Sequence, residues 1–196
     1  QACEKAFATD PLSAFGSVVG FNRTVDVETA DRLATGDKFV EAIVAPDFDA
    51  EAVTILQTKP KWKKNVRLME VGILEPARPS LEFRNLAGGM LVQDADHGGD
   101  NAAGWQVVTP DGIEDATITE LKFAWHLVRY VKSNAITLSR NQALTGVGAG
   151  QMSRVDAVEI AIRKAGDRAR GSVLASDAFF PFADSSEAAA TAGLSA

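Results

Sequence analysis

The 196 residues are enough for one large domain or two small ones with a buried core, and an apolar fraction of 46% excludes wholesale disorder. A formal charge of -6 at pH 7 argues against broad nucleic-acid binding, which needs concentrated positive charge. A single cysteine, Cys3, excludes an internal disulfide and fits a reducing, cytoplasmic setting, and with only His97 and His126 beside it no zinc site is expected.

No apolar run approaches the roughly 18 residues needed to cross a bilayer, so no membrane partner is expected. The first residue is Gln1, and positions 188–196 form a small-residue run; both ends read as those of an internal piece of a longer protein. In chain order, 18–21 reads as a strand and 26–33 as a short helix that Asp26 can cap. A buried strand follows at 40–45, stopped by Pro46, then a helix at 49–56 and a third strand at 66–71. This βαβαβ rhythm predicts an α/β lobe. Loops are expected at 76–79 and 97–101, around a strand at 89–93. The strongest helical pattern covers 113–132, with Ile118, Leu121, Trp125 and Val128 on one stripe. Residues 135–139 and 143–147, joined by Arg140-Asn141-Gln142, read as a hairpin. A helix at 152–165 and a strand at 173–175 complete the pattern.

Five features invite a chemical reading. Ser176-Asp177-Ala178-Phe179-Phe180-Pro181-Phe182-Ala183-Asp184 mixes apolar rings with carboxylates, as either the floor of a ligand pocket or an unusual core turn. Gly146-Val147-Gly148-Ala149-Gly150 precedes a helix, where backbone N–H groups attract anions, but its spacing satisfies neither nucleotide motif. Arg154, in the first turn of that helix, opposes the helix dipole; it is either held for an anionic ligand or simply solvated. Lys132-Ser133-Asn134 is either a turn or an asparagine presented to read an amide or imidazole edge. Lys59, Lys61, Lys63, Lys64 and Arg67 surround Trp62, as either a solvated loop or a nucleic-acid surface. His126 reads as an ordinary helical histidine, and His97 has no evident partner.

Five motifs carry a family resemblance: Thr9-Asp10-Pro11-Leu12-Ser13-Ala14-Phe15-Gly16, Phe39-Val40-Glu41-Ala42-Ile43-Val44-Ala45-Pro46, Val131-Lys132-Ser133-Asn134-Ala135-Ile136, Val147-Gly148-Ala149-Gly150-Gln151-Met152-Ser153-Arg154, and Ser176 through Phe182. In this order they resemble the transformylase part of the bifunctional purine-biosynthesis enzymes that combine AICAR transformylase with IMP cyclohydrolase. The resemblance covers nearly the whole chain and is weak between Lys59 and Trp105.

The resemblance implies a cytidine-deaminase-like α/β fold used twice in a two-lobed transformylase, without zinc; no H-x-E and P-C-x-x-C set is present. Residues 1–75 would be the remainder of the first lobe, 76–110 an irregular connection, and 111–196 a second lobe incomplete at its C-terminus. The implied reaction moves the formyl group of 10-formyltetrahydrofolate to AICAR. Residue by residue, the resemblance places Asn134 and Phe179 on the AICAR substrate, and Arg154 and Asp184 on the folate. It also places a potassium ion near Asp177 in some members. Asp47 and Glu70 fall at substrate-contacting positions, although the family often has a small residue at the first and sometimes an aspartate at the second. It implies a homodimer as well. The family's catalytic Lys-His pair lies in a K-H-A-N-P-C-G segment expected just upstream of Gln1. No catalytic residue is therefore expected within these residues, and the piece alone is expected to be inactive. The rival readings are a non-catalytic ligand-binding module using the same cleft, and a nucleic-acid-binding domain centred on Trp62.

Overall fold

The computed structural model describes residues 1–75, 80–96, 104–109 and 112–196. The loops expected at 76–79 and 97–101, and His97 with them, lie outside the described residues. The predicted βαβαβ lobe is present: strands β1 (Ser17–Gly20), β2 (Val40–Ala45) and β3 (Arg67–Glu70) alternate with helices α2 (Val27–Ala34) and α3 (Ala50–Thr58). The sheet is parallel, in the order β1-β2-β3, with Ile43 of β2 in register with Val19 and Leu68. Parallel strands covered by crossover helices are buried as near-continuous apolar runs, and β2 buries Val40, Ala42, Ile43 and Ala45. Asp26 caps α2 as expected: its Oδ1 accepts the Thr29 N–H at 2.8 Å. Trp62, 5% exposed, closes this core with Val25, Leu33 and Leu56. The basic residues beside it turn outward, Lys59 to Asp31 and Lys61 to Asp37. A buried ring offers no stacking platform, which overturns the Trp62-centred nucleic-acid reading.

A hairpin follows, β4 (Leu81–Leu86) with β5 (Gly89–Asp94). Only its second strand was expected; the polar Glu82, Arg84 and Asn85 of β4 mask strand character.

The second lobe holds α4 (Asp115–Val128), β6 (Ile136–Ser139), β7 (Leu144–Gly148), α5 (Arg154–Ala165), a 3-10 turn (Gly166–Ala169), β8 (Val173–Ser176) and α6 (Asp184–Thr191). Its sheet is antiparallel, ordered β7-β6-β8. The central β6 is buried on both faces by its period of two. Ile136 and Leu138 pack on Ala157, Val158 and Ala161 of α5. Ala135 packs toward Ala124 and Val128 of α4, and the buried Thr137 hydroxyl donates to the Ala124 carbonyl at 3.0 Å. The long helix is shorter than the predicted 113–132, because the chain turns after Val128. Its buried residues are Ala124 and Val128, with Leu121 partly buried beside them; Trp125 instead stands outside, edge-on to Trp105 with ring centroids 5.9 Å apart. Among the described residues no helix is long and apolar enough to cross a membrane.

Helix α1 (Ala2–Thr9), for which the sequence pattern gave no signal, joins the lobes. Cys3 and Phe7 pack on the first core, and Glu4 pairs with Arg32. On its other side, Lys5 Nζ donates to the Asn141 carbonyl at 2.7 Å and the Thr9 hydroxyl to the Leu144 carbonyl at 3.0 Å. Asp10 then pairs with Lys164 of α5 and accepts the Ser13 N–H at 3.0 Å. The Lys164 and Ser13 bonds hold the Asp10 carboxyl down at about 2. An unfolded aspartate titrates near ~3.9, so this pair stabilises the fold fully above that value and loses its effect as pH falls through about 2. Denaturant unfolding of Asp10→Asn against the parent is expected to show a stability gap that is constant above about pH 5 and closes between about pH 4 and 2. A gap that ignores pH across that window would remove this ion pair from the account.

Candidate functional site

The register of the second sheet assembles the site. Ile136, at the start of β6, pairs with Gly148 at the end of β7 and with Ser176 at the end of β8. Three loops therefore meet at one end of the sheet: 132–135 before β6, 149–153 before α5, and 177–183 before α6. A cis peptide joins Ser133 to Asn134.

Each loop contributes a polar group to one network. The Asn134 Nδ2 donates to the carbonyls of Gln151 at 2.9 Å and Met152 at 3.0 Å. Its Oδ1 accepts from Arg154 Nη2 at 2.8 Å. Both amide donors of Asn134 thus serve the turn, and what remains for a ligand is acceptor capacity on Oδ1. The turn reading of Lys132-Ser133-Asn134 accounts for the donors. Only the acceptor half of the edge-reading alternative is still open.

Arg154 is the first residue of α5, whose cap is Ser153, with Oγ accepting the Asp156 N–H at 3.1 Å. Its side chain is only 10% exposed, which overturns the solvated reading. Nη1 donates to Ser176 Oγ at 2.8 Å and to Asp177 Oδ1 at 2.5 Å. A cation that opposes the helix dipole is here balanced by an internal carboxylate. Burial pushes the Asp177 carboxyl up; bonds from the Ser133 hydroxyl, Arg154 and the Ala135 N–H outweigh it and leave the group below its ordinary value.

Asn134 and Arg154 of this network line a cavity of about 400 Å³, together with Phe179, Phe182 and Asp184 among others. Phe180 packs against the core of the second lobe, while Phe179 and Phe182 are 81% and 72% exposed at the cavity. Asp184 opens α6, and its Oδ1 accepts the Ser185 N–H at 2.6 Å. A carboxylate accepts about four hydrogen bonds, so Asp184 keeps capacity for a ligand's donors. The segment 176–184 thus splits the two readings made of it: one ring is core, two rings shape a cavity.

Asp47 and Glu70 are not in this cavity. They lie at the C-terminal end of the parallel sheet, Glu70 as the last residue of β3 and Asp47 just after β2. Asp47 Oδ1 accepts the Phe48 N–H at 2.7 Å. His126 sits on α4, its ring edge-on to Tyr130. Among the described residues no three His, Cys, Asp or Glu side chains cluster to hold a metal. Asp177 Oδ1, shared by a guanidinium and the Ala135 N–H at 3.0 Å, does not fit a potassium ion through that oxygen.

The glycine loop also receives a different explanation. Gly146 and Gly148 lie in β7 against α5, where a Cβ on Gly148 would stand 1.9 Å from the Ala157 carbonyl oxygen. Their absent side chains serve helix–sheet packing.

A family model described as the AICARFT/IMPCHase bienzyme matches residues 1–164. The chain belongs to that family. It is 58% identical over 195 residues to the bifunctional purine biosynthesis protein PurH of Rhodopirellula baltica, covering 99% of this chain and 37% of that protein. Proteins of the same name from Desulfitobacterium hafniense and Thermosynechococcus vestitus are 49% and 48% identical over 197 and 196 residues; each match covers all of this chain and 37% and 36% of the relative. The chain thus spans little more than a third of the length of the curated relatives it matches. Phe179 and Asp184 lie beyond the family-model match and within the similarity to the R. baltica protein. The two activities in the family's description and the purine biosynthesis in the relatives' name belong to proteins much longer than this chain.

Proposed function

We propose that this chain supplies the folate-side cleft of a formyltransferase. Within the whole protein, the amine of AICAR attacks the formyl carbon of 10-formyltetrahydrofolate. A C–N bond forms, the bond to folate N10 breaks, and the amine's proton leaves as N10 gains one. An IMP cyclohydrolase activity would reside outside these residues. The lobes are read as a cytidine-deaminase-like unit used twice without zinc, and the whole protein as a cytoplasmic homodimer.

One observation carries the reading: Asn134, Arg154, Phe179 and Asp184, drawn from three separate loops, line a single cavity. A carboxylate with acceptor capacity, Asp184, suits a flat heterocycle that carries N–H donors, as a pterin does, and the exposed Phe179 ring offers a face to AICAR. Arg154 offers fixed positive charge to the folate, and Asn134 an acceptor to AICAR. Asp47 and Glu70, at the carboxyl end of the parallel sheet, would contact substrate only from another part of the assembly. Turnover by this chain alone is not expected, since among the described residues no lysine–histidine pair lines the cavity and His126 packs beside Tyr130.

Calorimetric titration of this chain with a 10-formylfolate analogue tests the reading. Binding is expected, and Arg154→Ala or Asp184→Ala is expected to weaken it about tenfold or more, the loss of a charged hydrogen bond. Binding untouched by both substitutions would overturn the cleft assignment. Turnover that survives repurification of the chain would overturn its inactivity. Tight binding with no formyl transfer by the full-length protein would favour the binding-module alternative.

A further inference from the structure

Asp177 does not line the cavity, yet it belongs to one of the loops around it and is bonded to Ala135 of a second and to Arg154 at the start of α5. Its Oδ1 takes the Arg154 Nη1 and the Ala135 N–H, and its own N–H donates to the Ala135 carbonyl at 3.3 Å. Ala135 follows Asn134 directly, and Phe179 lies two residues beyond Asp177. Its side chain is 20% exposed. Three of the five guanidinium N–H groups of Arg154 are engaged within the chain, by Ser176, Asp177 and Asn134. Nε–H and one Nη2–H are left to meet a ligand's acceptor. Where they point is fixed by the carboxylate that holds the opposite Nη1 edge of the guanidinium.

We infer that Asp177 is a positioning residue, which acts through Arg154 to aim that fork into the cleft and through Ala135 to hold Asn134 beside it. The inference rests on the folate-cleft reading. A carboxylate is required because a neutral acceptor would leave a nearly buried guanidinium uncompensated and at liberty to turn toward solvent. The same charge lets α5 begin with a cation against its dipole.

The test uses the full-length protein carrying Asp177→Asn, Arg154→Ala, and both together. Formyl-transfer kinetics and calorimetric titration with the 10-formylfolate analogue are the readouts. Asp177→Asn keeps an oxygen for the Ala135 N–H and removes the charge. It is expected to raise KM for the folate about tenfold with kcat within about threefold of the parent, the pattern of lost positioning for binding. On the Arg154→Ala background it is expected to add less than about twofold, because its effect runs through that arginine. A full tenfold added loss on that background, or an unchanged KM, overturns the inference while leaving the folate cleft intact. Unchanged affinity in Arg154→Ala instead overturns the cleft reading itself. Should Asp177→Asn fail to unfold cooperatively, Asp177→Glu carries the test. Its extra methylene keeps the charge and displaces the fork, so KM is expected to rise, and an unchanged KM overturns the inference.

Discussion

Gly148→Ala is expected to destabilise this chain by about 3 kcal/mol or more, at the upper end of what overpacking a core costs. The added Cβ would lie 1.9 Å from the Ala157 oxygen and 2.7 Å from its carbonyl carbon, and a Cβ on Gly146 would lie 2.2 Å from the Ala161 oxygen. These obstacles are backbone atoms of α5, so no rotamer change relieves them. The helix must draw back from β7 along the face that buries Ala157, Val158 and Ala161 on β6. Part of the close packing of the second core is then lost with it. Gly20→Ala in β1 is the control: nothing lies within 4 Å of its Cβ position, and the change is expected to stay within about 1 kcal/mol. Urea unfolding of the two variants against the parent decides the matter. Equal midpoints for Gly148→Ala and the parent would return the glycine run to the phosphate-loop reading, because packing would then not explain it.

The first lobe was legible because its signals are local. A parallel strand buried on both faces is a short apolar run, Pro46 ends one, and Asp26 bonds a residue three positions away. Helix α1 was invisible for the opposite reason. Its apolar residues Cys3 and Phe7 face one lobe, while Lys5 and Thr9 serve the other, so no single apolar stripe marks it. The stripe of α4 was misread by one position in kind: Trp125 continues the apolar pattern, but Ala124, small enough for β6 to approach, is what the core takes.

The site divides in the same way. Residue types gave Arg154 as anomalous and 176–184 as a candidate wall. What the sequence could not give was the partner: Asp177 stands 23 positions from Arg154, and only the pairing of Gly148 and Ser176 on either side of Ile136 brings them together. A cation at a helix start was nonetheless a usable signal. It pointed to an anionic ligand, and the anion it meets within the fold is one of the two aspartates that flank the phenylalanine cluster. The asparagine was harder, since its amide donors are spent on two carbonyls that no spacing rule points to.

Arg168→Ala is expected to lower stability by about 2–3 kcal/mol, the range for charged hydrogen bonds to main-chain acceptors. A helix leaves its last carbonyls without intrahelical partners, and cations are favoured there. Arg168 serves two helix ends at once. Nη1 donates to the Ala8 carbonyl at 2.6 Å and Nη2 to that of Thr9 at 3.0 Å, closing α1; Nε donates to the Ala165 carbonyl at 3.2 Å and Nη2 to that of Lys164 at 3.2 Å, closing α5. Lysine carries the charge but lacks the planar fork, so Arg168→Lys is expected to recover less than half of the loss. Arg163→Ala, at an exposed position in the last turn of α5, is the control and is expected within about 0.5 kcal/mol of the parent. Because α1 joins the lobes, the Arg168 variants should also lose amide protection in α1 before the second core opens, which hydrogen exchange reads directly. Equal stability for the Arg163 and Arg168 variants would mean that α1 is held by Cys3 and Phe7 and by the bonds of Glu4, Lys5 and Thr9, without the arginine. The ordering of hydrogen exchange would then follow Phe7 rather than the arginine.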